Sequence, residues 1–339
     1  MKAISSIPRS TVRRRAPRHA GLAAAVALAG LALAACGGSS NAFSATSSSS
    51  AAGASSSAGA AGAGKNLTVG GANFTEMLVA EQLYGQVLAK NGYTVSYKAV
   101  ENREVYEPAL EQGQIDVVPE YAATMANFMS KRVNGTNAPD IATSDATTTV
   151  SAMQPLLEKK GLKALTPSTA LDANAFAVTK KIADANHLTT LSDLAKLNKS
   201  LTLAAPAECP DRPFCQPGLE KTYGLKIGKL LPLGFGSPQA KQAVVSGKAD
   251  MVETGTTDAT LGGLGLVALQ DDKKLQLADN IVPVVNTQKA GASDIQTLLD
   301  KVSAALTTDD LAQLNLKVDA ERQKPEDVAK QWLQSKGLL

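Results

Sequence analysis

The chain has 339 residues, of which 34 are basic and 31 acidic, and only 4% are aromatic. Residues 1–35 hold six basic and no acidic residues, so the rest of the chain has 28 basic against 31 acidic residues, a net charge of −3. This slightly acidic body gives no reason to expect nucleic acid as a partner, because phosphate binding needs a basic surface.

The N-terminal segment has the pattern of an export signal. Several arginines precede an uncharged stretch from Gly21 to Ala35, which is too short to span a bilayer comfortably. The run Leu33-Ala34-Ala35-Cys36 resembles the bacterial lipobox, in which the cysteine receives a diacylglyceryl group. We therefore expect residues 1–35 to be a signal peptide and Cys36 to be lipidated, with an ordinary signal peptide as the alternative. Adjacent arginines leave the choice between Sec and twin-arginine export open.

Residues 37–64 consist almost only of Ser, Ala and Gly. Such a segment cannot bury enough apolar surface to offset the entropy of ordering. We expect residues 36–65 to form a flexible tether with a reach of roughly 30 Å. Anchor, tether and body together predict an exported protein held by lipid at the outer face of the cytoplasmic membrane.

The body contains short apolar runs that alternate with helical patterns. It has about 275 residues, enough for two lobes that each have a core, and no further apolar stretch long enough to span a membrane. The alternation predicts α/β lobes. Asn73 and Glu76 are spaced as a capping box, and Thr190 or Ser192 is the expected cap of a short helix. Strands are predicted at 67–70, 93–100, 115–118, 173–179, 201–205, 229–233, 249–253 and 281–285, and helices from 73 or 75 and at 104–112, 121–129, 191–197, 217–223, 240–245, 293–306, 308–316 and 325–336.

Several stretches carry a resemblance to a known family. Asn73-Phe74-Thr75-Glu76 follows the first strand, and Gly113-Gln114-Ile115-Asp116 leads into Val117-Val118-Pro119-Glu120-Tyr121. Gly247-Lys248-Ala249-Asp250 opens a later strand, which Thr256-Thr257-Asp258 follows. Together they resemble the substrate-binding proteins of osmoprotectant ABC importers, which capture glycine betaine, choline or related quaternary amines. The similarity covers residues 66–337, and the segment 209–218 is similar to an actinobacterial branch.

The resemblance implies a two-lobe periplasmic-binding-protein fold of the type II kind. Lobe 1 is expected to comprise residues 66–169 and 285–339, and lobe 2 residues 170–284, with two crossing strands between them. The ligand would lie in the cleft, and closure of the lobes would present it to a membrane permease with its ATPase. The family is not enzymatic and needs no cofactor or metal, and we expect a monomer.

The same resemblance, carried over position by position, implies a set of ligand-binding residues. Aromatic faces recognise a quaternary ammonium, and hydrogen-bond donors recognise a carboxylate. Tyr121 matches an aromatic residue of lobe 1, and Arg212 matches a carboxylate-binding residue of lobe 2. The remaining predicted site residues are Asn73, Thr75, Thr124, Asn174, Phe176 and Thr256.

The chain also departs from the family pattern. Gly255 and Lys241 stand where ring residues are usual, and Ala72, Met77, Ala122 and Ala123 differ from common family residues. Tyr121 and Phe176 are then the two aromatic residues that clearly match the family pattern. Whether Tyr106, Phe214 or Phe235 completes an aromatic cage stays open. The ligand could therefore be another zwitterion, ergothioneine-like for example, or a hydrogen-bonding solute, and Glu253 would then meet a cation.

The two remaining cysteines form an even pair. Cys209 and Cys215 are six residues apart in an exported chain, so we expect a disulfide that holds Arg212 in a small rigid loop. Metal binding is not expected, because His187 is the only histidine left after export. Hydrolase, nucleotide-binding and metalloprotease motifs are absent from the sequence. A ligand-sensing lipoprotein remains the alternative to an importer component.

Overall fold

The computed structural model describes residues 65–339, so the predicted signal peptide, Cys36 and the tether lie outside the described residues. No helix within residues 65–339 is long and apolar enough to cross a membrane. The strands are β1 (Asn66–Ala72), β2 (Thr94–Val100), β3 (Val117–Tyr121), β4 (Leu162–Ala164), β5 (Asn174–Thr179), β6 (Ser200–Ala205), β7 (Lys226–Pro232), β8 (Met251–Gly255), β9 (Leu266–Leu269) and β10 (Ile281–Asn286).

Helices cover both faces of the sheets that these strands form. A π-turn, Leu219–Tyr223, continues the shortest helix, α7. The helices are α1 (Thr75–Lys90), α2 (Arg103–Glu111), α3 (Ala122–Asn134), α4 (Ala146–Glu158), α5 (Lys180–Asn186), α6 (Leu191–Lys196), α7 (Gln216–Gly218), α8 (Pro238–Val245), α9 (Thr287–Ala290), α10 (Ser293–Ala305), α11 (Thr308–Asp319) and α12 (Pro325–Ser335).

The strands form two sheets with matching order. The first sheet has the order β2-β1-β3-β10-β4, and the second has the order β7-β6-β8-β5-β9. In each sheet the first three strands run parallel, and the fourth, β10 or β5, is antiparallel to its neighbours. This arrangement confirms the predicted two-lobe α/β fold.

A Gly-x-x-Asp turn precedes the third strand of each lobe. Gly113 and Gly247 adopt positive φ, a conformation that glycine reaches without steric cost. The Asp116 carboxylate then accepts a backbone N–H of β1 at 2.8 Å, and that of Asp250 accepts one of β6 at 2.7 Å. The turn therefore links β3 to β1 in lobe 1 and β8 to β6 in lobe 2.

The core of lobe 1 lies on both faces of the first sheet. Val79, Leu83 and Val87, at the predicted spacing of four, are fully buried in α1. They pack with α10, α11 and α12 on one face, while α2, α3 and α4 cover the other. Each buried side chain of this kind contributes about 1.5–3 kcal/mol to the free energy of unfolding.

Two crossing segments connect the lobes and hydrogen-bond to each other. The N–H of Asp172 donates to the carbonyl of Asp279 at 3.2 Å, and that of Ile281 donates to the carbonyl of Ala170 at 2.9 Å. Strand β10 pairs with β3 from Ile281 onwards, so the expected boundary between residues 284 and 285 falls inside this strand. The paired segments are where a hinge motion would bend the chain.

The two capping expectations have different outcomes. Of the two predicted caps, Thr190 and Ser192, it is Thr190 that caps α6. Thr190 also forms a complete capping box with Asp193. The capping box predicted between Asn73 and Glu76 does not form, because Phe74 is the cap residue of α1 and no side chain caps the helix. Glu76 is buried and takes its hydrogen bonds from other elements instead.

Candidate functional site

A cavity of about 1140 Å³ lies between the lobes. The start of α1, the junction of β3 and α3, and α2 form its wall on lobe 1. The loops after β6 and β7 and the end of β8 form its wall on lobe 2, and Asp172 and Asp279 of the crossing segments also line it. Ligands of open α/β sheets bind in such crevices beyond the carboxyl ends of the strands.

Three aromatic rings meet across this cavity. The ring centroid of Phe74 lies 6.2 Å from that of Tyr121, with the rings near parallel, and 5.4 Å from that of Phe235. Phe74 and Tyr121 belong to lobe 1, and Phe235 follows β7 in lobe 2. We call these three residues the aromatic group. Tyr121 was predicted to line the cleft, and Phe235 was one of three candidates left open.

Phe74 is the member that the sequence analysis did not single out. It lies two residues after the end of β1, inside the Asn73-Phe74-Thr75-Glu76 stretch. The scarcity of aromatic residues in the chain, together with this position at a strand end, was the available signal. The other two open candidates have different surroundings: Tyr106 is 2% exposed and donates its hydroxyl hydrogen to Glu120 at 2.8 Å, while Phe214 is 6% exposed.

A buried carboxyl pair lies beside the aromatic group. Glu76 accepts hydrogen bonds from the hydroxyls of Tyr121 at 2.8 Å and Thr257 at 2.6 Å, and from the amide of Asn315 at 2.7 Å. Asp172 accepts the backbone N–H of Thr257 at 2.9 Å. Burial raises the pKa of Glu76, and burial together with the charge of Glu76 raises the pKa of Asp172 well above its usual range. Burial of two adjacent carboxyls therefore disfavours the state in which both are ionised.

Because Thr257 belongs to lobe 2, its hydroxyl joins the lobes through Glu76. Thr256, the predicted ligand-binding residue, is not part of the cavity wall. Its hydroxyl donates to Asp172 at 3.0 Å and accepts the N–H of Ala173 at 3.1 Å. The threonine that lines the cavity is the next residue, Thr257. The sequence of this loop has no periodic pattern that would distinguish the two threonines.

A buried ion pair supports the wall of lobe 1. The guanidinium of Arg103 contacts Glu120 at 2.7 Å and also donates to the hydroxyl of Thr124 at 3.0 Å. The N–H of Thr124 donates to Asp279 at 2.8 Å. Glu120 thereby joins α2 to the end of β3, which places its neighbour Tyr121 in the cleft. Thr124 lines the cavity, although its hydroxyl already has a partner.

Arg212 reaches from lobe 2 to lobe 1. It donates to Glu104 of α2 at 2.8 Å, and its guanidinium carbon lies 5.8 Å from the ring centroid of Phe128 in α3. Within residues 65–339 its buried Nε has no hydrogen-bond partner. The Sγ atoms of Cys209 and Cys215 lie 2.01 Å apart, at bonding distance, so the disulfide encloses Arg212 as expected.

The other predicted residues have varied positions. Asn73, Thr75 and Asn174 line the cavity, and the hydroxyl of Thr75 donates to Asp319 at 2.5 Å. Phe176 does not line the cavity: it is 1% exposed and packs in the core of lobe 2. It shares a face of β5 with Asn174 but lies two residues further from the cleft, which explains why only Asn174 reaches it.

Comparisons with known proteins identify a family and related sequences. Residues 65–335 match the family model of the substrate binding domain of the ABC-type glycine betaine transport system, OpuAC. The glycine betaine-binding protein YehZ of Escherichia coli is 30% identical over 281 residues, which are 79% of this chain and 90% of that protein. A glycine-betaine-binding protein of Pseudomonas aeruginosa is 26% identical, with 80% of this chain and 88% of that protein covered.

Solved structures agree at the level of the fold. The apo structure of YehZ from Escherichia coli has a TM-score of 0.56 at 28% identity, with 81% of this chain and 99% of that chain covered. A crystal structure of a glycine betaine/carnitine/choline ABC transporter has a TM-score of 0.61 at 21% identity, with 80% and 99% covered. The second likeness concerns the fold alone.

Proposed function

Since the chain belongs to the family of substrate-binding domains of ABC-type glycine betaine transport systems, we propose that it captures a small quaternary amine in the cleft and delivers it to an ABC permease. The aromatic group carries this proposal. A quaternary ammonium has no N–H to donate, and ring faces attract it with about 0.5–2 kcal/mol each. Phe74, Tyr121 and Phe235 supply faces from both lobes, so the ligand would favour their closure.

The charge of the cavity favours choline over glycine betaine. Ten acidic and four basic side chains line it. Each of the four basic side chains has an acidic partner within 3.3 Å: Arg103 has Glu120, Lys131 has Asp140, Arg132 has Glu107, and Arg212 has Glu104. A ligand carboxylate would have to displace one of these partners, whereas choline has no carboxylate to accommodate.

Calorimetric titration of the protein with choline and with glycine betaine tests the ligand. We expect choline to bind more tightly and to raise the melting temperature. Tyr121→Ala should weaken choline binding about tenfold or more, because it removes a ring and a hydrogen bond to Glu76. Tyr97→Ala, at an exposed position of β2 outside the cavity wall, is the matched control and should leave the affinity unchanged. No response to millimolar quaternary amines would contradict the ligand assignment.

We also propose that the protein acts as a monomer anchored through Cys36. An anchor keeps a receptor near its permease and raises the local concentration of the pair. Cys36→Ser should release the protein from the membrane fraction and abolish labelling by radioactive palmitate. Deletion of the gene should lower choline uptake by the cell, and the wild-type gene, but not the Tyr121→Ala variant, should restore it. Persistence of the Cys36→Ser protein in the membrane would contradict the anchor.

A further inference from the structure

Glu253 is a buried acid in the wall of lobe 2. It lies on β8, directly opposite Phe176 of β5, and it is 4% exposed. Its side chain shares a face of the sheet with Met251, which packs in the core of the lobe. Glu253 nevertheless lines the cavity, because it lies nearer to the end of the strand that meets the cleft. It therefore lies at the border between core and ligand cavity.

The carboxyl of Glu253 lacks the donors that buried carboxylates usually have. Within residues 65–339, the only polar contact of its oxygens is with Sγ of Cys215 at 3.0 Å. Disulfide sulfur carries no proton, so it cannot donate to the carboxyl. Burial raises the pKa of Glu253 to about 8, although the nearby Arg212 opposes this rise. The side chain is consequently a neutral acid at pH 7, with an acceptor oxygen that no protein group uses.

The other buried acids of the same cavity differ in this respect. Glu76 accepts three hydrogen bonds, and Asp172 accepts both a backbone N–H and a hydroxyl. Asp279 accepts the N–H of Thr124. Buried acceptors without partners are costly and are rarely kept without a reason. Within residues 65–339, Glu81, Glu107, Glu111 and Asp116 also each have a buried oxygen without a partner, but none of these four lines the cavity. Among the buried acids of the cavity wall, Glu253 is therefore the one whose carboxyl has no donor, and this position points to a ligand.

The backbone of Glu253 also lies beside the segment that carries Phe235 of the aromatic group. The N–H of Gly236 donates to the carbonyl of Glu253 at 3.0 Å, and Phe235 is the residue before Gly236. Phe235 and Glu253 both line the cavity, so one ligand in the cavity can contact both residues. A metal ion is not a plausible occupant, since the sulfurs of Cys209 and Cys215 are joined to each other and offer no thiolate.

We propose that Glu253 is a specificity-determining residue that accepts a hydrogen bond from a hydroxyl or N–H group of the ligand. The proposal rests on the proposed function and narrows its ligand class to quaternary amines that carry such a donor. Choline has a hydroxyl donor, whereas its methyl ether keeps the trimethylammonium group but has none. Sites built to hydrogen-bond a ligand group discriminate strongly against analogues that lack it.

The test compares choline with O-methylcholine by calorimetric titration of the full chain. We expect the wild-type protein to bind choline about tenfold or more tightly than the ether. Glu253→Leu should reduce this ratio to about twofold or less, because the acceptor is lost. Glu101→Leu removes an exposed acid of the same cavity and should keep the wild-type ratio. Tyr121→Ala should weaken both compounds equally and also keep the ratio.

The outcomes separate this proposal from the proposed function. A wild-type ratio near one overturns the role of Glu253 while quaternary-amine binding stands. A ratio that persists in Glu253→Leu overturns it as well. Failure of the wild-type protein to bind either compound overturns the proposed function and this proposal with it. The wild-type ratio needs no variant, so poor folding of Glu253→Leu does not remove the test.

Discussion

The two lobes share one strand order but build their walls of the cleft differently. Lobe 1 presents acids whose oxygens are already satisfied: Glu120 has Arg103 and Tyr106, and Glu76 has three donors. Lobe 2 presents Glu253, which within the described residues lacks a donor. The sheet order places strand ends at the cleft in both lobes, whereas the side chains at those ends decide what each wall can recognise.

The lobes also differ in how they stabilise the connection between their first two strands. In lobe 1 the sixteen-residue helix α1 connects β1 to β2 and packs on the C-terminal helices. In lobe 2 the equivalent connection holds a 3₁₀ turn at Cys209–Asp211, the short helix α7 and a π-turn, and the disulfide of Cys209 and Cys215 lies before α7. The disulfide therefore stabilises this connection in lobe 2, whereas helix packing stabilises the equivalent connection in lobe 1.

The largest expected effect comes from breaking the ion pair of lobe 1. Arg103→Met leaves the carboxylate of Glu120 buried with fewer donors, and we expect a loss of about 3–5 kcal/mol in the free energy of unfolding. Urea denaturation followed by circular dichroism measures this loss. The variant also tests whether Glu120 positions Tyr121, since choline affinity should fall together with stability.

Lobe 2 offers a matched control in the buried pair of Lys241 and Asp258, whose charged atoms lie 2.9 Å apart. Asp258 also accepts two threonine hydroxyls, at 2.5 and 2.6 Å. Lys241→Met should therefore cost less, about 1–3 kcal/mol. Equal losses for Arg103→Met and Lys241→Met would contradict the view that the wall of lobe 1 depends on a single ion pair.

The sequence predicted the strands that line the cleft but not every element between them. It assigned no helix to 146–158, where three consecutive threonines and Pro155 lower helix propensity. The helix α4 forms there because Asp145 caps it and because Met153 and Leu157 are buried against lobe 1. Tertiary packing thus outweighs local propensity, which a single sequence does not reveal.

The site shows the same limit. Tyr121 was predictable because it belongs to a contiguous motif at a strand end. Phe74 and Phe235 are 161 positions apart in the chain and meet only when the lobes approach each other. Phe176 was misleading because both faces of β5 are apolar, so the pattern does not tell which residues reach the cleft.

The pH dependence of stability is expected to separate Glu253 from the satisfied acids of lobe 1. Burial raises the pKa of Glu253 to about 8 in the folded protein, whereas in the unfolded chain its pKa has the ordinary value of 4.5. The folded state binds more protons between these pH values, so stability falls as pH rises through this window. The Glu253→Gln variant has no titrating group at this position, so it lacks this loss of stability.

The gain from Glu253→Gln, relative to wild type, should therefore be larger at pH 8.5 than at pH 5. We expect a difference on the order of 3 kcal/mol. Denaturant titrations of both proteins at the two pH values measure it, and the remaining buried acids, common to both proteins, cancel in the comparison. A gain that does not change with pH would mean that Glu253 is not buried as a neutral acid.

Removal of the disulfide is expected to have a smaller effect. The double variant Cys209→Ala and Cys215→Ala should lose about 2 kcal/mol of unfolding free energy, because the bond closes a short loop. Dithiothreitol should lower the melting temperature of the wild type but not that of the variant. If the variant is as stable as the wild type, the packing of α7 suffices without the disulfide, and the two lobes do not differ in this respect.

The smallest expected effect concerns the contact of Arg212 with Glu104, which joins the lobes at a partly exposed position. Glu104→Gln should weaken choline binding about two- to fivefold, because a bridge of this kind contributes up to about 1 kcal/mol and forms only when the lobes are close. Glu208→Gln is the matched control: Glu208 lies 4.0 Å from the same arginine but within lobe 2, so it should not affect closure. The wild-type affinity should also fall more steeply with salt than that of Glu104→Gln, since salt screens exposed charges. Equal effects of the two variants would show that Arg212 acts within lobe 2 and not between the lobes.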